Sequence, residues 1–211
     1  PHAPPGPLVR YIESHDLPRV ARRRVKWQHG GDQLLDVDGD GKTPDWLERG
    51  GPTASRLGAD LLAVVPGAVL LFAGQEFGAS DPLHWRYDPL DWSRQDEALR
   101  AHYSARLKLR AASPSLRSDD LTVLLNDSGR HLLALARGTA AGRGDDDRFV
   151  AAYNFGPCAQ TVTLTLPAAG SWSVVDGARV VTTTREARLE LAPFSATLLR
   201  RGAPKLTNPG R

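Results

Sequence analysis

Cysteine is nearly absent from this sequence. Cys158 is the only one, so no disulfide can form within the chain and stability has to come from packing. Long apolar runs are missing too; a helix that crosses a bilayer needs about 18 consecutive apolar residues, so no membrane span is expected. Neither charge sign dominates: 27 Lys and Arg stand against 24 Asp and Glu, a net charge of +3. Nucleic-acid binding calls for a basic stripe, whereas the charges here are mixed along the chain. The one dense cluster, Arg22, Arg23, Arg24 and Lys26, reads as a solvated loop or one flanking a ligand site, rather than as a polyanion site. Methionine is absent as well. The opening Pro1-His2-Ala3-Pro4-Pro5 is neither an initiator nor a signal peptide, and is expected to lie inside a longer chain. No feature assigns a compartment.

What is present describes a globular protein. Hydrophobic residues make up 41% of the 211 residues, enough for a real core. Leu8 to Glu13 is a short apolar and aromatic run with the character of a buried strand, ending in Ser14-His15-Asp16. Residues 19 to 51 form a long polar excursion. A helix is expected to start at Thr53-Ala54-Ser55, carry Leu57, Leu61, Leu62 and Val65 on one stripe, and stop at Pro66-Gly67. Ala68 to Ala73 is continuously apolar, as in a parallel strand covered on both faces. After a loop rich in Trp, Tyr, Asp and Pro, residues 95–112 repeat at helical period, with Leu99, Tyr103 and Leu107 on one face. Strand, helix, strand, helix is the pattern of parallel βα units. Two such units cannot close a barrel.

Beyond Pro114 the period changes to two. Short alternating runs separated by turn signals, such as Asn126-Asp127-Ser128-Gly129, predict about seven or eight strands in an antiparallel sandwich. The tail from Gly202 is expected to be loose.

Three groups of residues carry chemistry. His15 and Asp16 end a parallel strand, where barrel enzymes place reactive groups; an Asp there also caps helices or forms turns. Asp36-Val37-Asp38-Gly39-Asp40-Gly41 has alternating carboxylates before a glycine, the first half of a calcium loop. Its twelfth position is Leu47 rather than a bidentate glutamate, so Asp36, Asp38 and Asp40 stand either as a Ca2+ site or as a solvated acidic loop. Trp27, Trp46, Trp85, Tyr87 and Trp92 offer rings on which a ligand could stack, or else anchor loops. Arg19 is placed to reach a polar ligand group or to pair with a carboxylate. Glu76 reads as a structural or rim residue, and His102, His131 and Cys158 as ordinary ones.

The order of motifs gives these groups a context. Tyr11-Ile12-Glu13-Ser14-His15-Asp16 resembles the fourth conserved motif of glycoside hydrolase family 13, the α-amylase family, with Ser14 where Asn is usual. Pro66-Gly67 followed by Ala68 to Gly78 is similar to that family's eighth-strand segment, which closes in Gly-x-Glu-x-Gly. Leu107-Lys108-Leu109-Arg110 with Pro114 and Leu116 resembles the end of its last barrel helix. Tyr153-Asn154-Phe155 and Leu189 to Pro193 are similar to its following β-domain.

The resemblance implies a partial (β/α)8 barrel, its last two βα units in residues 1–117, then a β-sandwich in 118–202 and a loose tail in 203–211. It implies retaining chemistry at α-glucosidic bonds of an α-glucan or oligosaccharide. Asp16 would be the third carboxylate, gripping sugar hydroxyls, and His15 would bind the same sugar, with Arg19, Trp27 and Trp85 around them. The nucleophile and the acid/base match no position here. They are expected upstream, in a missing N-terminal barrel portion, which would leave the isolated chain inactive. Rival readings are a non-catalytic carbohydrate-binding module and an unrelated α/β protein with a β appendage. Hydrolysis and transfer are not distinguished by these residues.

Overall fold

Pro66 and Gly67 end one helix and start the strand that fixes the first part of the fold. In the computed structural model, which describes residues 8–13, 50–79, 90–139, 147–177, 180–183 and 185–202, this helix is α1, Gly50–Val64. It begins three residues before the expected Thr53, because Pro52 is tolerated in a first turn where no N–H bond is lost. Gly67 then takes φ +106, a left-handed conformation open to glycine, and the chain enters β2, Ala68–Val69. β2 lies parallel to β1, Val9–Arg10, with Val9 opposite Ala68 and Arg10 opposite Val69. Ala68 N–H donates to Leu8 O at 2.8 Å and Leu70 N–H to Arg10 O at 3.0 Å. The expected βαβ step is therefore present, but its strands are short. Leu8, Val9, Tyr11 and Leu70 are exposed, so the run that reads as covered on both faces is not covered here. Among the described residues β1 and β2 pair only with each other, and two strands alone cannot shield both faces.

Residues divide into two compact units, one comprising 1–63 and 67–109, the other 64–66 and 110–211. In the first, α2, Glu97–Ala112, is capped by Asp96, whose carboxylate accepts from Leu99 N at 2.9 Å. Leu99 and Tyr103 are buried as the period predicts, packing with Ala59 and Leu71. Leu107 is only half-buried, while Arg106 and Arg110 are buried. Asp60 explains the first of these: its carboxylate accepts from Arg106 Nε, and His102 Nε2 stands 3.1 Å from the same oxygen. A hydrophobic period cannot register an ion pair that completes the stripe. No helix among the described residues is long and apolar enough to cross a membrane.

The second unit holds a short helix α3, Pro114–Arg117, and eight described strands. These are β3, Thr122–Asp127; β4, Leu132–Arg137; β5, Phe149–Asn154; β6, Gln160–Thr165; β7, Gly170–Val174; β8, Val180–Thr183; β9, Glu186–Leu191; and β10, Ser195–Arg201. All their pairings are antiparallel, as a six-stranded sheet ordered β3-β4-β5-β10-β7-β8 and a β6-β9 ladder. Alternation explains the ladder: β6 buries Val162 and Leu164 and exposes Thr161, Thr163 and Thr165. β5 departs from alternation, being buried at every position as a central strand covered on both faces. Trp172, Leu199, Val150 and Ala152 from the large sheet share one core with Val162, Leu164, Leu189 and Leu191 from the ladder.

Arg137 is the unexpected feature of this unit. It is wholly buried, yet its guanidinium donates to the backbone oxygens of Val64, Ser115, Ser118 and Asp120, tying two chain segments to the end of β4. Burial lowers its pKa to about 10, with the nearby Arg110 adding to the fall.

Candidate functional site

The C-terminal ends of β1 and β2 meet within the first unit. Past β1 the chain runs through Tyr11, exposed, and Ile12 to Glu13, which is 1% exposed. Ile12 reaches α1 at Gly58, where a Cβ would fall 2.3 Å from its Cδ1. Glycine is what allows that strand and helix to approach.

Past β2 the chain makes a tight turn. Gly74 at φ 91 and Gly78 at φ 77 are both left-handed and bracket a 3-10 turn over Gln75–Phe77. The Gly-x-Glu-x-Gly spacing thus has a backbone cause, since side chains are strained at both ends of that turn. Glu76 accepts from Gly74 N at 3.0 Å and steadies the turn, the structural role expected of it. Phe77 packs its ring against Trp92, with centroids 4.8 Å apart, and Trp92 remains 55% exposed.

A buried polar network lies at the same end. Gln75 is fully buried; its Nε2 donates to Tyr103 Oη at 3.0 Å, and its Oε1 accepts from Phe72 N at 3.3 Å. Tyr103 Oη also bonds Ser55 Oγ at 3.0 Å and donates to Ser55 O at 3.2 Å. One phenol from α2 thereby links the turn after β2 to the start of α1. Burial raises the Tyr103 pKa, opposed by the hydrogen bonds to Ser55 and Gln75, and the negative charges of Glu13 and Glu76 raise it further. Both glutamates are thus near enough to act electrostatically on one buried hydroxyl at the mouths of two parallel strands.

Most residues singled out from the sequence fall elsewhere. His15, Asp16, Arg19, Trp27, Trp46, Trp85, Tyr87, Asp36, Asp38 and Asp40 lie outside the described residues. Asp16 follows Glu13 by three positions. Among the described residues no group of three or more His, Cys, Asp or Glu is placed to hold a metal ion. Sequence reasoning missed the Ser55–Gln75–Tyr103 network and the burial of Glu13. Tyr103 was legible as an apolar-face residue, but nothing local says which side chains its hydroxyl meets.

Comparisons with known proteins bear on this arrangement. No family model matches the chain. A curated relative, "Alpha-amylase MalA" of Haloarcula japonica, is 34% identical over 123 residues, covering 56% of this chain and 17% of its own length. In fold, the α-amylase of Geobacillus thermoleovorans complexed with acarbose aligns over 92% of this chain and 38% of its own, with TM-score 0.65 and 22% identity. AmyP in complex with maltose aligns over 94% of this chain and 41% of its own, with TM-score 0.63 and 18% identity. At such identities the two structures speak for the fold alone. The chain spans about a sixth of the curated relative and about two fifths of these structures. The chain is thus similar in sequence to part of an α-amylase and in fold to α-amylase-type enzymes, and the coverage is consistent with a C-terminal portion of such enzymes.

Proposed function

We propose that this chain supplies the last two βα units of a (β/α)8 barrel, and a following β-sandwich, to a retaining glycoside hydrolase acting on α-glucans. The observation that carries this reading is the parallel pairing of β1 with β2, with Glu13 and the Gly74 to Gly78 turn at their C-terminal ends. Barrel enzymes assemble their sites at that end of the strands, and Asp16 follows within three residues. A pure binding module would have no use for this pairing, and the likeness in fold to α-amylase-type structures supports the barrel over an unrelated α/β protein. The ligands named for the structural relatives, acarbose and maltose, support an oligosaccharide substrate.

In this reading Asp16 and His15 bind hydroxyls of the sugar at the point of cleavage. A charged acceptor whose hydrogen bonds tighten as the ring distorts lowers the barrier more than it strengthens substrate binding. Arg19, Trp27 and Trp85 are assigned to binding the same substrate, the tryptophans by stacking. Nucleophile and acid/base come from the N-terminal barrel portion, so the 211-residue chain is inactive by itself. The direct test is an assay of the purified chain on a chromogenic α-glucoside and on starch. No turnover is expected; turnover abolished by Asp16→Asn would overturn the inactivity. In the enzyme completed with its N-terminal portion, Asp16→Asn should lower kcat on the order of 10²-fold or more, as when an interaction specific to the transition state is lost. An unchanged kcat would remove the site assignment.

Asp36, Asp38 and Asp40 are proposed as a calcium site. Three hard carboxylate ligands before a glycine suit Ca2+, while Leu47 supplies none at the twelfth position, so affinity on the order of 10⁻⁴–10⁻³ M is expected. Calorimetric titration should show heat that Asp38→Asn abolishes; no heat at millimolar calcium would leave only a solvated acidic loop.

A further inference from the structure

We draw no further inference here: the strongest candidate, the open groove of about 500 Å3 between the edge strands β3 and β6 of the second unit, lined by Thr122, Thr163, Thr165, Leu166 and Arg185, carries nothing because nothing in the structure shows what covers it.

Discussion

Removing one oxygen from Tyr103 tests the network at the strand ends. In Tyr103→Phe the ring stays, but Gln75 Nε2 and Ser55 Oγ lose a shared partner in a buried site. The expected cost is about 1–3 kcal/mol, read by urea denaturation. The raised pKa adds a pH signature. The fold holds the phenol's proton more tightly than the unfolded chain does. This contribution is therefore fully present below the ordinary tyrosine value of about 10 and is lost as pH rises through the raised folded value. Wild type should lose stability as pH rises above about 10, and Tyr103→Phe should lose less; parallel curves would refute the assignment. Arg137 acts in the opposite sense, since its lowered pKa makes the fold more stable as pH climbs past about 10, but it is common to both proteins and cancels in the comparison. Substituting it is a separate matter. Arg137→Met would take a donor from four backbone oxygens, of which Ser115 O keeps its hydrogen bonds from Ser118, and a loss of about 3–5 kcal/mol is expected in the same measurement.

Elements are joined at two glycines, for different reasons. At Gly67 a Cβ would lie 2.5 Å from Leu8 O, a backbone atom of the neighbouring strand, and φ is +106. Gly67→Ala should therefore cost about 1–3 kcal/mol in thermal or urea unfolding, and no side-chain change relieves it. At Gly58 the obstacle is the tip of Ile12. Alanine gains about 1 kcal/mol of helix propensity there against an overpacking cost of about 1–3 kcal/mol. Gly58→Ala alone should be mildly destabilising, and adding Ile12→Val should recover most of the loss. A double mutant no better than the single would mean that Ile12 is not what limits the approach of α1 to β1.

For the molecule as a whole, the uncovered strand pair matters most. Leu8, Val9, Tyr11 and Leu70 leave apolar area in water that a third and fourth strand would remove. A barrel reading assigns that covering to the N-terminal portion. Replacing Val9 and Leu70 together by Thr should lower the binding of a hydrophobic dye by at least half in the isolated chain. In the longer enzyme proposed above it should also impair activity. Dye binding unchanged by the pair would show that this surface is not the exposed one.

Residue order by itself determined the element types, because period and turn chemistry are local. The period of 3.6 is visible at Leu57, Leu62, Leu99 and Tyr103, and the period of 2 at Val162 and Leu164. Pro66-Gly67 and Gly74 to Gly78 mark the turns through a backbone conformation that glycine alone adopts without strain. The family resemblance was legible for the same reason, since its motifs are short contiguous strings. Tertiary structure decided which strands pair, that Arg106 completes an apolar stripe by meeting Asp60, and that Arg137 is buried among carbonyls drawn from two distant segments. A buried polar group is stable only with partners far away in the chain, and no local pattern encodes who those partners are.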